Sequence, residues 1–335
     1  MRFAFTDDQQ EFAEAFRDVL LNEAGPELLR ASWDDGTGRI PGLWAQLAGL
    51  GVVGLLAPEG VGGFGLAEID LVLLLAEAGR AGLPEPLADV AAVAVPAIRD
   101  HAQADDAVAL LERIVAGTAT VAVGLATDAY VLHAAGAAAY LLEADDGLHL
   151  VDPDVVELTP VRSVDSSRRL SAVSWTPSDA TRIGGGVVAA QQARDRAAVA
   201  AAAELCGLAD TAIRLTVEYV SERRQFGVPI GSFQAIKHHL ANALLAIEFA
   251  KPLVWRAAYS ISQGDPDSSL HVSMAKAKAS VAAQLVADVS LQCHGAIGYT
   301  VEHDLHLFIK RIWALSRHAG DAAFHRRRVG GLVLG

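Results

Sequence analysis

The second half of the chain constrains the fold most. After three glycines at 184–186 come four long segments, roughly 187–221, 231–262, 268–292 and 303–328, joined by the short turns QFGVPIGS, QGDPD and HGAIGYT. Long helical segments with brief connections pack as antiparallel neighbours, so a four-helix bundle is expected over 187–335. Many of the segments are alanine-rich and apolar on more than one face. Such helices need cover on several sides, in a thick bundle or at a subunit interface, and an oligomer is therefore expected.

The first 117 residues read as a separate helical domain. Thr6 is placed as an N-cap, Asp7 and Asp8 lie in the first turn, and Phe12, Phe16 and Leu20 follow at the four-residue spacing of one buried face. Shorter helices are expected at about 41–50, 66–80 and 86–98, separated by PEGVGGFG (58–65) and GLPEP (82–86), which break helix and strand alike. Between 119 and 176 the texture changes to TVAVGLA, AAYLLEA, GLHLVDP and RLSAVSW, short runs bounded by Asp, Gly, Ser and Pro. That spacing predicts a small antiparallel sheet, and with it a β-domain over 118–183. The fold class is α+β, mainly α, without internal repeats.

Composition narrows the partners. At 335 residues the chain is long enough for more than one core. Its 27 basic residues against 40 acidic ones give a formal charge of -13, which disfavours nucleic acid. The two cysteines, Cys206 and Cys293, stand in apolar surroundings and cannot form a disulfide framework. Residues 1–20 carry five acids in place of a basic and then apolar leader, so a cytoplasmic protein is expected. No apolar run reaches the ~18 residues of a membrane span.

Most candidate sites have plainer explanations. The glycines at 60, 62, 63 and 65 lack both the strand and the Lys-Ser/Thr of a phosphate loop and read as turns. His238-His239 diverge by ~100° on a helix, and neither they nor His303 and His306 have ligand partners at zinc spacing; no metal is expected. Cys206 has no neighbour to lower its pKa, and no G-x-S-x-G elbow is present. Two stretches say more. In SERRQFGVPIGSFQAIKHHLA (221–241) two arginines at a helix end lead through a Gly/Pro turn into a new helix. Guanidinium groups, a Gln amide and freed N–H groups gathered there suit either a pyrophosphate or a plain C-cap. In LQCHGAIGYTVEHDLHLFIKR (291–311), Gln292 ends a helix before Gly295 and Gly298, which permit close approach to the backbone or simply cap the helix.

Together these stretches resemble the acyl-CoA dehydrogenase family. R-x-QFG…P-I-G-x-FQ-x-I-K-H followed by Q-x-x-G-x-x-G-Y-T is similar to that family's C-terminal bundle, and LGVVGLLAPEGVGGFGL (49–66) and the three-part order extend the likeness over nearly the whole chain. The resemblance implies a helical domain, a β-domain and a helical bundle. It implies FAD as cofactor and α,β-desaturation of an acyl-CoA thioester. It implies that Arg223, Gln225 and Phe226 contact the FAD of a neighbouring subunit and that Gln292, Gly295 and Gly298 line the same dinucleotide.

The chain departs from the family where the chemistry is done. Counting from Gln292 without gaps, the family's Glu-Gly-Thr falls on Ala319-Gly320-Asp321, so the base becomes an alanine. The alternative base position on the first bundle helix becomes Ala197, and the CoA-facing arginine beside it Ala198. The T-E-P-x-x-G-S-D and W-x-T/S-N segments of the β-domain are missing. This pattern is similar to the shorter β-type subunits of bacterial heteromeric acyl-CoA dehydrogenases, several of which act on steroid side-chain thioesters. The expectation is a subunit that completes the FAD site of a longer α-type partner, which holds the acyl-CoA and passes electrons to an external acceptor. The alternatives are a homomeric enzyme with Asp195, Glu204 or Asp321 as a non-standard base, and a non-catalytic scaffold.

Overall fold

The computed structural model describes residues 4–102 and 105–335. Helix α1 (Asp7–Glu23) begins at Thr6, whose hydroxyl accepts from the Gln9 N–H while the Gln9 side chain returns to the Thr6 N–H. That reciprocal cap satisfies two donors the helix cannot satisfy itself. Ala13, Phe16 and Leu20 face inward. Four helices follow: α2 (Pro26–Asp34), α3 (Leu43–Gly49), α4 (Glu68–Ala81) and α5 (Val95–His101). The expected helix over 86–98 is not uniform. Ala88–Ala94 form a π-helix in which the Val95 N–H reaches back to Val90, because Pro96 has no N–H to continue a regular ladder. Helix α6 (Asp105–Val115) completes the layer. The helices at 26–34 and 105–115 were not among those expected.

The middle of the chain is not one antiparallel sheet. It forms two three-stranded sheets. In the first, β1 (Val121–Gly124) pairs in parallel with β3 (Ala139–Ala144), which pairs antiparallel with β4 (Gly147–Val151). In the second, β2 (Val131–Leu132) and β5 (Glu157–Val161) flank β6 (Leu170–Ser174), all antiparallel. Ala122, Val131, Tyr140, Leu142 and Val151 make a small core of their own, with Trp175 against it.

Helix α7 (Gly186–Glu222) is 37 residues long and lies against α10 (Ser268–His294). Ala197 to Ala203 are all buried, which fits a helix covered on several sides. Where α4 crosses α7, a Cβ on Gly79 would stand 2.1 Å from the Glu204 carbonyl and one on Gly207 1.8 Å from the Ala76 carbonyl. Only glycine allows that approach. Two expected helices are broken. The segment 231–262 divides into α8 (Gln234–Glu248) and α9 (Lys251–Ser262), with Pro252 opening the second. The segment 303–328 divides into α11 (Leu305–Leu315) and α12 (Ala322–Leu334), because Ala319 and Gly320 adopt φ of 53° and 89°. The mainly helical α+β architecture, with small sheets between two helical regions, is as expected. Among the described residues no helix is long and apolar enough to cross a membrane.

Candidate functional site

The first functional region is one end of the bundle. After α7 the backbone leaves the helix at Arg223, whose N–H still donates to the Tyr219 carbonyl at 2.9 Å. The connection is a β-hairpin, β7 (Arg224–Gln225) against β8 (Val228–Pro229), closed by Phe226-Gly227 with φ of 52° and 83°. Both turn residues are left-handed, which matches the twist of a two-residue hairpin but strains any residue with a Cβ. Phe226 bears that strain while 91% exposed, its ring set T-shaped to that of Phe233 with centroids 6.2 Å apart. Arg224 holds the turn through the Gly227 carbonyl. Among the described residues Arg223 makes no side-chain hydrogen bond or ion pair, and Arg223 and Gln225 are exposed.

The second expected motif lies beside it. Helix α10 runs two residues past Gln292 and stops at Gly295, whose φ of 65° and ψ of -143° suit glycine alone. Gln292 is exposed, and nothing lies within 4 Å of where a Cβ on Gly295 would stand. Gly298 is different. It is buried, and a Cβ there would meet His294 and Leu291 at 3.0 Å, so its small size serves packing within the chain. Tyr219 stacks on His294 with ring centroids 4.4 Å apart, and His303 sets its edge against both. This stack holds the hairpin and the Gly295 turn at the same end of the bundle. Burial pushes the His294 and His303 imidazoles below their usual pKa, so both stay uncharged at neutral pH. A free guanidinium, two exposed amides, an open glycine and an outward ring fit a dinucleotide lying along the surface.

The second region surrounds Ala319, and its bonds close it. The Ala319 N–H donates to both carboxylate oxygens of Asp128, at 3.1 and 3.0 Å, and the His318 Nδ1–H donates to the same group at 3.0 Å. Burial pushes the Asp128 carboxyl up, but His318 and the Ala319 N–H more than offset it and hold it at about 2. The Ala319 carbonyl accepts from His325 Nε2 at 2.9 Å. Below the loop, the fully buried Lys276 ammonium donates to the carbonyls of Ser316 and Gly320 and to Ser280. Beside Ala319 a cavity of about 340 Å³ is lined by Thr127, Gln191, Arg194, Phe324, His325 and Arg328.

Two of the three candidate bases are otherwise engaged. Asp195 is clamped by Arg328 at 2.6 Å and accepts from Ser269 and Gln191. Asp321 caps α12 by accepting from the Phe324 N–H at 2.7 Å. Of the three, Glu204 is the one that is buried and makes no side-chain hydrogen bond among the described residues, and burial pushes its carboxyl up to about 7. It faces a cavity of about 30 Å³ that Ala197, two turns earlier on the same helix, also lines. Asp89, Arg168, Arg311 and His318 are among its other lining residues. None of these four was singled out from sequence, nor were Asp128 and Lys276. They come from separate elements with no motif spacing to betray them.

The turn reading of the 58–65 glycines and the buried-thiol reading of the cysteines agree with the structure. Gly62 and Gly65 sit at turn positions with positive φ. Among the described residues no group of three or more metal-ligating side chains forms. Cys206 and Cys293 are buried free thiols, and burial pushes Cys206 up to about 12.

Comparison with known proteins agrees with the architecture. Residues 6–118 match the acyl-CoA dehydrogenase N-terminal domain, and 184–333 the acyl-CoA dehydrogenase C-terminal domain. Acyl-CoA dehydrogenase IpdE2 of Mycobacterium tuberculosis is 32% identical over 306 residues, 91% of each chain. A variant of the steroid ACAD Tcur3481-Tcur3483 superposes with a TM-score of 0.88 at 28% identity, over 98% of both chains. A chain of the ChsE4-ChsE5 complex of Mycobacterium tuberculosis gives 0.88 at 22% identity, covering 100% of this chain and 99% of that one, a likeness of fold. Matched at both ends by family domains and along nine-tenths of its length by a named relative, this chain belongs to the acyl-CoA dehydrogenase family.

Proposed function

We propose that this chain is the β-type subunit of a heteromeric FAD-dependent acyl-CoA dehydrogenase, and that it completes an FAD site whose reactive ring lies in a longer α-type partner. Members of the family are FAD-binding flavoproteins. One contrast carries the reading: by the count from Gln292 the usual base falls on Ala319, a methyl group whose peptide is tied to Asp128, while among the described residues Arg223 at the bundle end makes no side-chain hydrogen bond or ion pair. In this role Arg223 neutralises pyrophosphate charge, Gln225 and Gln292 hydrogen-bond the dinucleotide, and Phe226 packs against it. Gly295 admits it to the backbone, and Gly298 shapes the turn. FAD, when bound, supplies the hydride acceptor. The partner supplies the carboxylate base and the acyl-CoA pocket, and an electron-transfer acceptor reoxidises the assembly. The ChsE4-ChsE5 complex supports a two-chain assembly, and the steroid ACAD supports a steroid-derived acyl group as the first substrate to try.

The test is Arg223→Ala in the chain co-expressed with its partner. The assembled complex loses flavin absorbance while the thermal midpoint of this chain is unchanged. A yellow, active enzyme from this chain alone overturns the division of labour, and no flavin in any assembly leaves a scaffold. A second reading has one observation in its favour: Glu204 faces a cavity near Ala197 with a carboxyl poised near neutrality. A homomeric enzyme using it as base requires Glu204→Gln to abolish turnover by the chain alone.

A further inference from the structure

The Glu204 cavity brings together one charged group from each of the three layers: Asp89 from the π-helix, Arg168 from the β-domain and Glu204 from α7. Each is more than nine-tenths buried. Arg168 makes no side-chain hydrogen bond or ion pair among the described residues, and its Nε is fully enclosed without a partner. Among the described residues the one ion-pair contact of Asp89 within 4 Å is to the His318 imidazole, at 3.8 Å. Buried charges left this way are costly, and the cavity of about 30 Å³ exceeds the ~10–15 Å³ that one water requires.

We propose that this cavity is a proton-controlled lock on the β-domain, in which enclosed water joins Arg168 to Asp89 and Glu204 and loss of one proton from the cluster loosens the seat. The charge arithmetic gives the direction. With Glu204 protonated, Arg168 balances Asp89; with Glu204 ionised, one negative charge is in excess. The surrounding charges are committed elsewhere. Arg311 binds Asp165 and Ser167 of the β-domain and the Leu83 carbonyl. His318 binds Asp128 at 3.0 Å, and Arg39 pairs with Glu85 at 2.6 Å. His133, which also lines the cavity, is pushed down to about 3 by burial and the nearby arginines and brings no charge above that pH. Burial raises Asp89 as well as Glu204.

A carboxyl with a folded pKa raised above its unfolded one contributes stability that is complete below the unfolded pKa and is lost as pH rises through the folded one. For Glu204 that window runs from its ordinary value of 4.5 to about 7. The inference does not depend on the assembly reading, since it concerns groups far from the dinucleotide edge in sequence and is read in folding.

The experiment measures thermal midpoints of the full chain, in the assembly in which it is purified, between pH 5 and 7.5. Glu204→Gln cannot ionise, so its midpoint climbs relative to wild type as pH rises and stands above it at pH 7.5. Arg168→Met, which removes the shared cation, falls more steeply than wild type over the same range. Profiles of wild type and Glu204→Gln that run parallel overturn the proposal. If a variant does not fold, infrared titration of the wild type decides: a buried protonated carboxyl band present at pH 5.5 and lost by pH 8 supports the lock, and its absence at pH 5.5 refutes it.

Discussion

A methyl group at 319 cannot accept a proton, yet the peptide that bears it is among the most thoroughly bonded in the chain. Asp128 takes its N–H, His325 meets its carbonyl, and Lys276 holds the carbonyls on either side. Lys276 brings a pH dependence of its own. Burial lowers its ammonium from 10.5 to about 7, so the folded chain binds fewer protons than the unfolded chain between those values and stability rises with pH there. Lys276→Met removes this: wild type gains on the variant by about 1 kcal/mol per pH unit, read from urea midpoints between pH 7.5 and 9.5. Phe226 presents the opposite case, an exposed aromatic held in a left-handed conformation that its own fold does not reward. Phe226→Asn places a residue suited to that conformation in the turn. The expected outcome is stability unchanged or raised by up to ~1 kcal/mol, with flavin lost more readily from the assembled complex. A parallel loss of fold and flavin counts against a contact role for the ring.

Elements in this chain are set by caps and glycines as much as by apolar period. The crossing of α4 and α7 shows how sharply, because Gly207 faces the Ala76 carbonyl at a distance no Cβ tolerates. Gly207→Ala forces the helices apart and costs ~1–3 kcal/mol or more, seen as a lower urea midpoint, whereas Gly330→Ala, inside α12 with nothing nearby, leaves stability unmoved or raises it by up to ~1 kcal/mol. Thr6 and the long α7 were legible because cap chemistry and sustained periodicity both appear in sequence. The breaks at Pro252 and at Ala319-Gly320 were passed over, since apolar residues continue across each and the period does not announce an interruption. Strand pairing was harder still. That β1 runs parallel to β3 depends on how the β-domain seats on the π-helix and α7, which no local pattern in 119–176 states.

At the scale of the whole molecule the family fold was legible from two motifs, but the state of its reaction centre was not. That the family's glutamate falls on Ala319, as the proposal has it, could be counted. What fills the space around it could not, because Asp89, Asp128, Arg168, Arg311 and His318 meet only when all three layers assemble. This distinction makes a prediction. If the missing base were the sole defect, Ala319→Glu would recover turnover in the isolated chain. The cavity of about 340 Å³ beside Ala319 has room for the larger side chain, and Ala319 already carries a Cβ at positive φ, so the variant is expected to fold. Yet the hollow facing Ala197 and Glu204 is only about 30 Å³, with Asp89, Arg168 and Arg311 among its lining residues, and is too small for an acyl chain. Ala319→Glu alone should therefore show no acyl-CoA oxidation above the wild-type chain in a dye-reduction assay, and turnover by that variant would mean that the three layers close around a working site.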